Sequence, residues 1–398
     1  MKLKKLIKSY FISASILAHC LIIVIAAYFL SERVTSHWRW PLVKRWVLGD
    51  IDKTDVYPLN YNDFESLPKG LWLKIHQQRP GDRVRFVRQA HAGSGYDQRR
   101  NRLILFGSNT HGENWNNTIY SFDLNTFQWL EAYSSDKPGT YTVNDDGVPV
   151  AGIKHNHPWA MHTFGSVVYD EKNDNLVVAS YPRHLAPDRY GQQLAPIWTS
   201  IKRQPTWVYN PESNNWRSYN GKSISFFPYA IAFDSDRSVV TGFLPYGIYD
   251  WNGIHKGWKK IGRKSVGEYH TNVIYDSKNH VFILYGGNKM QNSIKVFVAG
   301  EKMTETMPTL GQRPPAGQSI PLVFHKQEGK VVALIDVDGY AQTWLYDYAN
   351  DQWFRVESAD FPYQIGMNYS MEYDVRNNIV ILVSSPKNEE TAVWVLKI

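Results

Sequence analysis

The densest run of side chains able to bind a metal or move a proton is KHNHPWAMH, residues 154–162, which carries His155, His157 and His162. Neutral imidazoles ligate zinc and copper, and three of them make a site. The spacing matches no recognised metal pattern, and in an extended segment His155 and His157 point to opposite sides. The stretch therefore reads as solvated or packed histidines, and no metal or cofactor is expected. Nearby segments add His111, His184, Tyr190 and the tryptophans Trp115, Trp159 and Trp198, residue types that make binding surfaces. A second group gathers around Glu268 and His270, a general acid/base pair if burial raises the carboxyl. Nucleophile elbows, HExxH helices and phosphate loops are missing from the sequence. The only cysteine is Cys20, which excludes Cys-based metal centres and internal disulfides.

The elements that hold these residues begin at a membrane. Tyr10–Leu30 is a 21-residue apolar run without a formal charge, long enough as a helix to cross a bilayer core of roughly 30 Å. Lys2, Lys4, Lys5 and Lys8 precede it and hold the amino end inside. The expectation is an uncleaved signal anchor: a cytoplasmic tail at 1–9, a span at 10–30, a linker at 31–70 and an extracytoplasmic, periplasmic or cell-surface domain at 71–398. The net charge of +7 does not signal nucleic acid. Eight of the 44 Lys/Arg and two of the 37 acidic residues lie in residues 1–50, leaving 36 basic against 35 acidic in the remainder. No basic excess is left to neutralise phosphates, so nucleic-acid binding is not expected.

From residue 71 the chain reads as short strands in a repeat. Each of six units opens on an aromatic residue followed by an acid or His: Tyr96-Asp97, Tyr169-Asp170, Phe233-Asp234, Tyr275-Asp276, Phe324-His325 and Tyr373-Asp374. A polar turn, an apolar strand, a loop and an aromatic third strand follow. In three units a Trp comes six residues after the polar end of that third strand: Asp123 to Trp129, Asn210 to Trp216 and Asp347 to Trp353. The last unit runs out before a fourth strand. Leu71-Trp72-Leu73-Lys74-Ile75, with its own Trp, supplies the missing strand from the amino end.

The aromatic-Asp turns, Gly286-Gly287 after a second strand, the aromatic third strands and the following Trp resemble kelch-repeat β-propellers over about residues 71–398. The resemblance implies an all-β fold: six blades of four antiparallel strands, closed as a ring by the amino-terminal strand and preceded by one transmembrane helix. In such a fold the first strands line a central mouth. Its candidate lining is Arg88, His91, Tyr229, Glu268, His270 and Asn368, a set of polar groups suited to a polar small molecule. The largest irregular segments, 107–117, 131–160 and 181–205, fall together on the top face.

The resulting expectation is a membrane-anchored binding or scaffold module. It would hold a protein or glycan partner on the top-face loops through Trp115, His155, His157, Trp159, His162, His184 and Trp198. The alternative is a carbohydrate-active enzyme, similar to sugar mutarotases, with its acid/base groups in the mouth. Kelch-like oxidases use copper with a crosslinked Cys; Cys20 lies in the expected span, which argues against that chemistry.

Overall fold

The aromatic-Asp pairs end strands, and the reason is visible in their hydrogen bonds. In the computed structural model, Asp97, Asp234, Asp276 and Asp374 each accept, through Oδ1, the backbone N–H groups two and three residues on. Asp170 accepts the N–H of Asn173 in the same way. The second oxygen takes the side chain three residues on: Arg100, Asn173, Arg237, Asn279 and Asn377. Each carboxylate thus closes a tight turn that reverses the chain. The tyrosine before it also braces the turn. Tyr96, Tyr169 and Tyr373 donate their hydroxyls to Asn101, Asp174 and Asn378. All three acceptors have a left-handed backbone (φ +58, +56 and +54), which Asn and Asp tolerate best after glycine.

The structure describes residues 56–57, 61–86, 91–111, 114–219, 221–263, 268–289, 293–306, 310–386 and 389–398. They form an all-β architecture of seven small sheets with one short α-helix, Ala195–Trp198. Sheet I comprises Gly93–Asp97, Arg102–Phe106, Tyr120–Asp123 and Gln128–Glu131. Sheet II has Val167–Asp170, Asn175–Val178, Thr206–Asn210 and Asn215–Tyr219. Sheet III has Ile231–Asp234, Val239–Leu244, Gly247–Trp251 and Trp258–Gly262. Sheet IV has Asn272–Asp276, Val281–Tyr285, Ile294–Phe297 and Thr304–Thr306. Sheet V has Leu322–His325, Lys330–Val337, Tyr340–Asp347 and Gln352–Arg355, with Leu310–Gly311 added in parallel to the last. In sheet VI, Ser370–Asp374, Ile379–Val383 and Ala392–Lys397 are completed by Leu71–Gln77, which pairs antiparallel with the last. The seventh sheet, Thr142–Val143, Pro149–Ala151 and His157–Pro158, is an insertion between sheets I and II.

Hydrophobic side chains fill the spaces between sheets. Tyr96, Leu103, Leu105, Ile381 and Val395 form one core between sheets VI and I. Ile104, Phe106, Tyr169, Leu176 and Trp216 form the next, between I and II. The repeated Trp belongs to these layers. Trp129, Trp216 and Trp353 sit opposite Phe122, Tyr209 and Tyr346 on the neighbouring strand. Trp258 faces Trp251 in the same register in sheet III. It lies six residues after Asn252, so the Trp spacing extends to a fourth unit. The folded body starts before Leu71: Tyr61–Ser66 is a 3-10 helix, and Phe64 and Leu67 pack in the core between sheets VI and I. The expected span Tyr10–Leu30 and most of the linker lie outside the described residues. Among the described residues no helix is long and apolar enough to cross a membrane.

Candidate functional site

The site is built where first strands begin. His91, Phe164, His270 and Ser319, each six residues before the aromatic-Asp acid or its His325 counterpart, all have a left-handed backbone (φ +66, +44, +65 and +33). Such a conformation is uncommon for non-glycine residues and is held only where the surroundings impose it. At His91 they do. Its carbonyl accepts the N–H groups of Thr163 (2.9 Å) and Phe164 (3.1 Å). Thr163 Oγ1 accepts the N–H of Gly93 (2.7 Å) and donates to the Phe106 carbonyl (2.7 Å). Gly107 makes this approach possible: a Cβ there would lie 2.3 Å from Thr163 Oγ1. The stitching brings His162, from the KHNHPWAMH stretch, against His91.

Two further loops close over them. Asn109 Oδ1 accepts the His111 N–H (3.2 Å), turning the exposed His111 ring inward to 4.7 Å from the His162 ring and 5.6 Å from His91. The 3-10 turn Arg183–Leu185, anchored by the fully buried Leu185, stacks His184 on His162 at 3.9 Å. Ring centroids of His91 and His162 are 4.5 Å apart. One ligand nitrogen from each of His91, His111 and His162 lies within 4.8 Å of the other two. Phe164 continues the cluster, 4.6 Å from His91 and 4.9 Å from His270.

These imidazoles are neutral at pH 7. Burial, reinforced by the neighbouring imidazoles, holds His91 down to about 4 and His162 to about 2. Burial, His111 and the nearby Arg189 and Arg183 hold His184 to about 4. Burial lowers His111 and His270 as well. A neutral imidazole can bind a metal without first losing a proton. His91 Nδ1 and His270 Nδ1 are buried without a hydrogen-bond partner among the described residues. His162 Nε2, by contrast, accepts the Thr110 N–H (3.1 Å). Ligation through that nitrogen must displace Thr110, which precedes His111 in the same loop.

The structure joins residues that the sequence assigned to separate places. His184, read as a top-face loop residue, and His162, read there and also as a neighbour of the mouth, meet His91 and His270, read as mouth residues. Several other expectations are corrected. Trp115 and Trp159 are not surface binders: with Tyr141, Leu185 and Leu194 they form a core beneath the loops, and Trp198 packs against it half-buried. The Trp159 indole N–H donates to the Val150 carbonyl (2.8 Å). His157 is engaged structurally, with Nδ1 bonded to Asp136 Oδ2 (2.8 Å) and its ring stacked on Tyr133. His155 is exposed at a left-handed turn and joins no cluster. Glu268 turns to Lys289 (3.4 Å) rather than acting as the carboxylate partner of His270. Tyr229 lies near the mouth with its ring 5.8 Å from Tyr269, and Asn368 Oδ1 is buried without a partner. Arg88 lies outside the described residues.

One feature escaped the sequence reading. Glu372 lines a cavity of about 240 Å³ among the first strands and accepts the Ser94 hydroxyl (2.7 Å). The signal was available. Two residues before the turn acid, the other units carry Gly95, Val168, Ala232, Ile274 and Val323, so Glu372 is the one charged member of that column.

No protein-family profile matches the chain, and no characterised protein was found to be similar to it in sequence. Solved structures of similar shape include a protein of unknown function from Bacteroides thetaiotaomicron, at 10% identity and a TM-score of 0.46 over 79% of this chain and 71% of that one. Another is a chain of the Mitotic Checkpoint Complex, at 11% identity and a TM-score of 0.45 over 81% of this chain and 96% of that one.

Proposed function

We propose that the chain is a six-bladed, kelch-like β-propeller, closed as a ring by Leu71–Gln77 and presented outside the cytoplasm by the span at Tyr10–Leu30. Its function is to hold a transition metal at the mouth and offer it to a small molecule. The ring reading is supported by the neighbours of the first strands: sheet I lies beside II, II beside III, and so on to VI, whose first strand lies beside that of sheet I. The metal reading is carried by one observation, the convergence of His91, His111 and His162 from three separate segments.

Three protein imidazoles leave a coordination position open, as catalytic rather than structural zinc sites do. This moves the balance from a loop-surface scaffold toward the enzyme alternative. The burial of Trp115 and Trp159 points the same way, since the scaffold reading relied on them. Tetrahedral zinc with nitrogen ligands requires nitrogen–nitrogen separations of about 3.4 Å. The ligands therefore draw together on loading, and His111 is the exposed member of the three, while Thr110 before it is fully buried and bonded to His162.

The test uses the full-length chain in detergent. After equilibration with zinc, copper or nickel and removal of free ion, one metal per chain is expected by elemental analysis. His111→Ala and His162→Ala should lose it, while His155→Ala, at an exposed turn outside the cluster, should retain it. Retention of metal by His111→Ala and His162→Ala alike, or no metal bound by the wild type, removes this reading.

A further inference from the structure

A cavity of about 260 Å³ opens beside the histidine cluster and shares His184 with it. Arg183, Arg189, His184 and His270 supply polar lining, Phe227 and Tyr269 supply flat faces, and among the described residues no carboxylate lines it. Both arginines are exposed, and neither makes an ion pair among the described residues. Asp188, between them in sequence, pairs with neither. The loop that carries them is cinched. Tyr190 N–H donates to the His184 carbonyl and Gly191 N–H to the Ala186 carbonyl (both 3.2 Å). A Cβ on Gly191 would lie 1.9 Å from the Leu185 carbonyl oxygen, so the closure depends on glycine. It sets Arg183 and Arg189 on one cavity. Exposed Tyr190 and Tyr246, at 46% and 62% accessibility, stand near the same mouth, the first 4.8 Å from His111 and the second close to Tyr181 and Tyr229.

We propose that this cavity takes the acid group of a small organic anion between Arg183 and Arg189, with the carbon skeleton against Phe227 and Tyr269. The far end of the ligand then reaches the His91–His111–His162 centre, and only this second contact rests on the metal reading above. Two guanidinium groups without carboxylate partners offer the planar, forked donors that carboxylates and phosphates accept. A neutral molecule leaves both charges unanswered, and an apolar cation is repelled.

The full-length chain, with and without bound zinc, is titrated calorimetrically with glucuronate, glucose 6-phosphate and glucose. At least one of the two anions should bind saturably, with glucose roughly thirtyfold or more weaker, as expected for loss of charge-assisted hydrogen bonds. The preference between carboxylate and phosphate ester assigns the acid group. The Arg183→Ala/Arg189→Ala double variant should weaken the anion by a similar factor while leaving metal content and melting temperature unchanged. The double Lys variant should recover only part of the loss, because it restores charge without the fork. Undiminished anion binding in the Ala double variant, or a chain that binds metal but neither anion, overturns the proposal. Arginine-dependent anion binding by a chain that holds no metal leaves it standing and removes the metal reading instead.

Discussion

His91 and His270 occupy a backbone region that a non-glycine residue enters at a cost of order 1 kcal/mol or more, and each keeps a buried Nδ1 without a partner among the described residues. Phe164 and Ser319 share that backbone, so the turn belongs to the repeat, where the His91 carbonyl fastens one first strand to the next; the unpartnered nitrogens suit side chains aimed at a ligand. Glu372 is a third costly residue. Burial among the first strands pushes its carboxyl up to about 7, with only the Ser94 hydroxyl opposing the shift. The folded state therefore holds the proton more tightly than the unfolded chain, whose glutamate titrates near 4.3. Stability is full below that value, falls as pH rises toward about 7, and is level above it. Glu372→Gln removes the penalty. In denaturant melts the variant should exceed wild type by about 1–3 kcal/mol at pH 8 and match it near pH 4. Equal stability at pH 8 would show the carboxylate to be well solvated. Glu372 was legible as the odd member of an apolar column. His111 was not, because nothing in the spacing of a lone loop histidine tells which way the loop folds.

At the scale of the element, the aromatic-Asp turn is the unit that repeats. Asp374 is fully buried and accepts two backbone N–H groups and the Asn377 amide. Asp374→Ala leaves those donors without an acceptor and should cost about 2–3 kcal/mol in equilibrium unfolding. Asp374→Asn, which keeps one oxygen, should cost less; equal costs would mean the carboxylate acts only through its charge. This turn was readable because its chemistry is local, a carboxylate two and three residues from the amides it caps. Sheet V shows the tolerance of the device: His325 Nδ1 accepts the Glu328 N–H in place of a carboxylate. The Trp pairing in sheet III is harder to read because Asp250 offers a decoy polar end to the third strand, whereas the structure pairs Trp251 with Trp258. The long loops were misread for a different reason. Tryptophans serve a binding surface and a core equally well by composition, and only the packing of Trp115 against Tyr141 and Trp159 decides between them.

At the scale of the molecule, strands far apart in the sequence share sheet VI. Trp72 pairs with Leu396, donates its indole N–H to Thr343 Oγ1 (3.0 Å) and packs edge-on against Phe361. It thereby ties the amino-terminal strand to sheet V as well as to sheet VI. Trp72→Ala should destabilise the folded unit by about 3–5 kcal/mol in a single cooperative transition. A separate early transition, leaving the rest of the protein folded, would mean that the strand is an ornament and not a closure. The pairing along the sequence was foreseeable because the last unit lacked a strand and the first residues of the domain supplied one. The convergence of His91, His111, His162 and His184 was not, since it depends on insertions whose paths follow from packing rather than from the repeat.

The shared sheet also bears on how the protein comes into being. Leu71–Gln77 leaves the ribosome long before its partner Ala392–Lys397, with sheets I to V made in between. Until that partner is made, the strand waits with one edge unpaired, open to another nascent chain of the same kind. A chain interrupted before Ala392 leaves that edge without its partner. Completion of this sheet therefore follows synthesis of the strands of all the others.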